Sequence, residues 1–248
     1  MAWHKPLAAI TRALLLDMRD AVASEYGPSA GNCFVQVAGA AFSWARERGK
    51  TEHSPLDRVK RIPTGNFPAW SNEQVAVALK AFPEALRRAV ILGLYTGQRR
   101  SDLVTMRWNA YADGVIKVKQ IKTDVELVVP VHSVLRAELE RWWQERPGIG
   151  GATILTSPRG MAWSGTWLST SFADAVRNAG LPARLNVHGL RKLAAANLAE
   201  AGCSVKQIAS ITGHSTLSMI ELYTKSADQR RLAAQAIAKL ETGRSETA

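Results

Sequence analysis

The 248-residue chain is poor in cysteine, with only Cys33 and Cys203, far apart and in unlike contexts. That argues against a disulfide framework or a cysteine-based zinc site, and a reducing, cytoplasmic compartment is the expectation. Long apolar runs are scarce too. The run from Ala13 to Leu16 is broken at once by Asp17 and Arg19, too short for a secretory h-region or a membrane span. There is no P-loop, no acidic cluster of the kind that gathers catalytic metal ions, no internal repeat and no low-complexity tract. Acidic residues are outnumbered, 21 against 32 lysines and arginines, which gives a formal net charge of +11. Such an excess favours a polyanionic partner, nucleic acid being the commonest. Charge nominates a partner but no chemistry.

What is present reads mostly as helix. From Leu7 to Tyr26 the apolar positions recur at helical spacing, and Gly27-Pro28 ends the segment. A second helix is expected from about Ser29 to Gly49, followed by a basic, turn-rich connector from Pro55 to Gly65. A domain boundary is placed there, giving a small helical unit at 1–64 and a larger one at 65–248. Two helices alone are too little to bury a full core. Beyond the connector, Ser71 is a candidate N-cap, Ala85 to Tyr95 an apolar helix ending at Thr96-Gly97, and Asp102 to Trp108 a short helix capped by Ser101 or Asp102. Val115 to Val131 alternates as a hairpin turning at Thr123-Asp124, with Lys117 and Lys119 on its solvent face. Leu135 to Trp143, Trp167 to Ala179 and the stretch from Val187 onward return to helix. The fold class expected is mainly α with a small antiparallel β-sheet.

The chemistry-bearing residues sit at turns and helix starts. Arg99 follows the glycine that ends an apolar helix, so it projects from a tight corner. Lys122 lies near the hairpin tip, where a lysine can reach a nucleic-acid groove and donate a proton to a departing oxygen. His188 and Arg191 are three apart at a helix start, on one face, beside amides that favour an anion. His214 follows Thr212-Gly213, and Tyr223 lies a short way beyond. Taken singly, each has an ordinary reading as a surface charge or packing residue. Taken together, a cation on the oxygens, imidazoles for proton traffic and a hydroxyl nucleophile are what a phosphodiester under attack requires. A competing reading is a helix-turn-helix across Ala199 to His214, with Lys206, Gln207 and Ser210 as base readers. That set is thin for a recognition helix, and His214 and Tyr223 would be superfluous to it.

On Thr96-Gly97-Gln98-Arg99 with Ser101-Asp102, Lys122, His188-Gly-Leu-Arg191, Thr212-Gly-His214 and Leu222-Tyr223-Thr224, the chain resembles the tyrosine recombinase (phage integrase) family. Order and spacing agree over roughly residues 66 to 248. The segment Ala40-Ala-Phe-Ser-Trp-Ala-Arg-Glu-Arg-Gly49 resembles that family's core-binding domain, and the resemblance implies that residues 1–64 correspond to a truncated part of it. The resemblance implies a site-specific DNA recombinase of a prophage or other mobile element. Tyr223 would attack a DNA phosphate, leaving a 3′-phosphotyrosyl link and a free 5′-hydroxyl, and Arg99 and Arg191 would clamp the transition state. Lys122 would protonate the leaving oxygen, His188 would assist proton transfer at Tyr223, His214 would hydrogen-bond the phosphate, and Asp102 would buttress the site by orienting Arg99 or a helix end. It implies no cofactor and no metal. The partners implied are double-stranded DNA and three further protomers, assembled through a C-terminal helix at Ala227 to Leu240, with accessory DNA-bending proteins and no membrane. A leucine often stands where Thr212 precedes the glycine. Two alternatives keep the same residues: a type IB topoisomerase-like enzyme, and a catalytically decayed DNA-binding protein.

Overall fold

A computed structural model describes residues 7–145, 152–214, 229, 233–238 and 240. The chain divides into two compact units, Met1–Asn66 and Phe67–Ala248.

In the first unit, helix α1 (Arg12–Tyr26) starts later than the apolar spacing suggests, because Thr11 caps it by accepting a hydrogen bond from the Leu14 amide. Gly27 ends it, and Pro28 opens α2 (Pro28–Glu47) at a position where a missing N–H costs nothing. Leu15, Phe42 and Leu56 form the buried centre, with Ile10, Phe34, Val35, Ala38 and Val59 around them. Asn32 is buried on α2, and both ends of its amide are used on one residue of the connector. Its Oδ1 accepts from the Ile62 amide at 2.9 Å and its Nδ2 donates to the Ile62 carbonyl at 2.8 Å. The basic connector is thereby pinned to the helix.

In the second unit, α3 (Asn72–Ala81) opens with a reciprocal capping box between Ser71 and Gln74. Helix α4 (Glu84–Thr96) ends at Gly97 in the left-handed conformation. Helix α5 (Arg100–Thr105) begins two residues before the expected Asp102 and stops short of Trp108, which sits in a 3-10 turn, Trp108–Ala110. Its N-cap is Arg99, which offers no side-chain capping bond, so neither Ser101 nor Asp102 plays that part. The sheet has three antiparallel strands in the order β1 (Tyr111–Ala112), β2 (Val115–Lys119), β3 (Glu126–Pro130). The expected hairpin is β2–β3, in register from Val115 opposite Pro130 to Lys119 opposite Glu126. Ile116, Val118 and Val129 face the core, whereas Lys117 and Lys119 face water. Strand β1 is too short to show alternation, which is why periodicity misses it.

Helices α6 (Ser133–Glu145), α7 (Gly165–Asn178), α8 (Val187–Glu200) and α9 (Val205–Thr212) complete the described part. Ser164, Asn186 and Ser204 cap the last three through side-chain oxygens. Their core includes an edge-to-face trio, Trp70, Phe82 and Phe172, with ring centroids 5.4 to 6.4 Å apart. Each large side chain fully buried in it contributes roughly 1.5–3 kcal/mol. The consequence for function is placement: α4 packs along α8, and α9 packs against α8 and β3. The C-terminal ends of α4 and α9 thus meet the start of α8 and the tip of the hairpin. The architecture is mainly helical with one small antiparallel sheet, as expected.

Candidate active site

Arg191, in the first turns of α8, is 1% exposed. Its Nη1 donates to the Gly97 carbonyl at 2.9 Å and to the Thr212 carbonyl. Both oxygens lie at helix C-termini, those of α4 and α9, where unpaired carbonyls and the negative end of the dipole favour a cation. Two helix ends therefore hold one guanidinium in a place that water does not reach. Gly213 lies directly after, at φ 69, and any side chain there would overlap the Gln120 amide. Gly189, inside the His188–Arg191 motif, is needed for closeness: an added Cβ would lie 2.6 Å from the Pro68 carbonyl and 2.8 Å from the Trp70 ring.

Arg99 is half-buried, and its Nη1 donates to Gln120 Oε1 at 2.7 Å. That amide is fully buried and saturated. Oε1 also accepts from the Thr123 hydroxyl at 2.8 Å, while Nε2 donates to Gln98 Oε1 at 2.7 Å and to the Thr212 carbonyl at 2.8 Å. Gln98, buried as well, donates onward to the carbonyls of Thr96 and Ile211. One hydrogen-bonded network therefore joins the end of α4, the start of α5, the hairpin tip and the end of α9.

His214 Nδ1 lies 2.7 Å from the Thr212 hydroxyl. Burial, with Arg191, Arg99 and His188 nearby, pushes its pKa down to about 4. His188, at the surface-facing start of α8, is lowered too. Loss of water around the ring is the first cause, followed by the charges of Lys192, Arg191, Arg99 and Lys122. Those couplings bring His188, Arg191, Arg99, Lys122 and His214 into one electrostatic neighbourhood. Lys122 itself is exposed on the hairpin turn. Asp102 is buried, and its Oδ1 accepts from the Ile121 amide at 3.0 Å. It steadies the hairpin next to Lys122, and the hydrogen bond of Arg99 goes to Gln120. Tyr223 lies outside the described residues. In the competing helix-turn-helix reading, Gln207 Oε1 is taken up by the Ser204 cap and the Ser210 hydroxyl donates back to the Gln207 carbonyl. Of the three proposed readers, that leaves Lys206 presenting an uncommitted tip on α9.

The model of the phage integrase family matches residues 71–230. The chain belongs to that family. It is similar to the integrase of Escherichia phage lambda, 27% identical over 229 residues that make up 88% of this chain and 64% of that protein. The chain thus spans less than two thirds of that relative's length. Among solved structures, a lambda integrase(75-356) dimer bound to a COC' core site superposes with a TM-score of 0.75 at 25% identity, over 89% of this chain and 81% of that one. A lambda integrase tetramer bound to a Holliday junction gives 0.70 at 25% identity, over 85% and 66%.

For this phage integrase family member, reading the sequence missed Gln120, Gln98 and Gly189. A signal for Gln120 was available. It shares strand parity with Ile116 and Val118, so a polar side chain was being aimed at the buried face. Gln98 had no comparable signal, because its burial depends on α9 arriving from more than a hundred residues away.

Proposed function

We propose that the chain is a site-specific DNA recombinase that cleaves and rejoins duplex DNA through a 3′-phosphotyrosyl intermediate. In this reading Tyr223 attacks the scissile phosphate, and Arg99 and Arg191 stabilise charge on its non-bridging oxygens. Lys122 protonates the leaving 5′-oxygen, His188 assists proton transfer at Tyr223, and His214 acts next to the phosphate. Asp102 supports the hairpin. The observation that carries the reading is the shared network in which Arg99 and Arg191 are both anchored to Thr212, one through Gln120 and one directly. Two guanidinium groups on one rigid frame suit a bridging anion, and a net charge of +11 suits DNA as its source.

The small unit at 1–64 is read as part of a core-binding domain and the remainder as the catalytic domain. The partner is double-stranded DNA. Assembly into a tetramer through the C-terminal helix is supported by its described residues, where Ile237 and Leu240 are 55% and 57% exposed. Among the described residues no helix is long and apolar enough to cross a membrane. We read its place of action as the cytoplasm, on the nucleoid, where its proposed substrate lies.

A nicked suicide duplex tests the function. The chain should leave a covalent protein–DNA adduct that Tyr223→Phe cannot form. If both proteins shift the duplex and neither forms an adduct, the enzymatic reading is wrong.

A further inference from the structure

The first residues of the second unit, Phe67–Trp70, form a strap across the start of α8. The Trp70 indole nitrogen donates to the Asn186 carbonyl at 2.9 Å, and the Trp70 amide to the Gly189 carbonyl at 3.5 Å. The Trp70 ring packs edge-to-face against Phe82 and Phe172, so the strap is rooted in the core. Phe67, at its outer end, is clasped from both sides of the helix start. Arg184, before α8, sets its guanidinium over the ring, 5.5 Å from the centroid. It does so from a left-handed backbone, φ 76, which strains a residue that carries a side chain. Lys192, in the second turn of α8, donates from Nζ to the Phe67 carbonyl at 2.6 Å.

We propose that this strap is the seat of His188: it fixes the first turn of α8 and, through the Phe67 carbonyl, holds Lys192 as a positioning residue beside the imidazole. Trp70 alone fastens the strap, and a further hydrogen bond near the surface adds little to that. What Lys192 adds is a charge in a set place. A lysine ammonium is a point charge on a flexible stem, and the Phe67 carbonyl takes up that freedom. It stands four residues after His188, on the same face of the helix.

The consequence rests on the reading of His188 as the group that assists proton transfer, a task for which the ring starts uncharged. Loss of water around the ring is the first cause of its low proton affinity. Among charges Lys192 comes first, then Arg191 on the same helix, Arg99 at the start of α5 and Lys122 on the hairpin turn. His214 after α9 is uncharged at neutral pH, and Phe67-Pro-Ala-Trp70 carries no charge. In the proposed mechanism Arg99, Arg191 and Lys122 act on the DNA phosphate, whose charge offsets theirs. Lys192 is tied to the strap instead, so its effect on His188 outlasts the arrival of DNA.

Nitrogen-15 spectra of histidine in the full chain follow the ring through pH without any reaction, with His188→Gln identifying the signals. Lys192→Met should raise the pH at which His188 takes up its proton, and Lys192→Arg, which keeps charge and donor, should restore it. Trp70→Phe, which loses the indole bond to Asn186, should raise it too. Because the strap is then loose, adding Lys192→Met should change His188 less than it does in the parent. An unchanged His188 in Lys192→Met, or full additivity of the two replacements, overturns the proposal. Should Trp70→Phe fail to fold, Phe67→Ala, which removes the ring under Arg184, takes its place in the cycle. On a nicked duplex the acid limb of the pH–rate profile should move to higher pH in Lys192→Met and return in Lys192→Arg, with DNA affinity near the parent's. A loss of affinity in step with the rate would make Lys192 a DNA contact and overturn its positioning role. If the parent forms no adduct, the recombinase reading falls and the spectra still decide the seat.

Discussion

Gln120 holds Arg99 with its carbonyl oxygen and the Thr212 backbone with its amide nitrogen, at 2.7 and 2.8 Å. Because Arg191 donates to that same Thr212 carbonyl, the two arginines are spaced by one side-chain amide and one peptide oxygen. An amide has two donors and two acceptor positions, and here all four are used.

Replacing Gln120 should therefore uncouple the arginines. Gln120→Ala should slow adduct formation by about 10- to 100-fold through misplacement of Arg99, with little change in DNA affinity. Gln120→Glu should be worse for folding, because a carboxylate cannot donate to Gln98 Oε1 or to the Thr212 carbonyl. About 1–3 kcal/mol of stability should be lost for the buried groups left unmet, read by chemical denaturation. Loss of DNA affinity in step with the rate would make Gln120 a binding residue.

If Arg191 acts as proposed, on charge in the transition state, Arg191→Ala should slow cleavage by about three orders of magnitude or more while leaving DNA binding nearly intact. Equal loss of both, measured by adduct yield and gel shift, would contradict that.

Removing the Asp102 carboxylate should free the hairpin tip. Asp102→Ala should speed hydrogen exchange of the Ile121 amide, whereas Asp102→Asn, which keeps an acceptor oxygen, should largely protect it. Unchanged exchange in Asp102→Ala would mean that the bond at 3.0 Å does not hold the turn in solution.

His188 and His214 predict the sign of a pH effect. Both are lowered from the ordinary value of 6.5, His214 to about 4, first by loss of water around the ring and then by charge: Arg191, Arg99 and, once protonated, His188 on His214; Lys192, Arg191, Arg99 and Lys122 on His188. As pH falls from 6.5 toward 4, the unfolded chain takes up these protons before the folded one does. Stability from the neutral rings is thus full above 6.5 and lost through that window. Bound phosphates would offset the same cations and raise both values, so DNA binding should take up protons between pH 6.5 and 4. Calorimetry in two buffers of different ionisation enthalpy reads this directly, and proton release on binding would refute it.

Affinity for duplex DNA should fall linearly in logarithmic terms as salt rises, with a slope of about −0.9 per phosphate contacted. A flat response would count against a phosphate-dominated interface.

Local signals in the sequence were the reliable ones. Ser71 with Gln74, the glycines at 97 and 213, and the alternation of Ile116 and Val118 each announce a cap, a stop or a buried face within a few residues. The candidate side chains Arg99, Lys122, His188, Arg191 and His214 were also legible, because their turns and helix starts are local. What held them was not. Gln98, Gln120 and the Thr212 carbonyl become partners only when α4, the hairpin and α9 meet, and pairings of that range leave no mark in a window of neighbours. The same distance hides the partner of Asp102, whose carboxylate accepts from the Ile121 amide on the hairpin.

Arg191 gives up its water when the chain folds, not when a ligand arrives. Its guanidinium is already dry, facing two helix ends, so in the proposed mechanism an arriving phosphate would meet a charge that needs no further stripping and little rearrangement. The corollary is an antagonism between durability and turnover. An apolar residue of similar volume at 191 removes a buried charge, so a search for heat-resistant variants should reach that position and return proteins that outlast the parent and cut nothing.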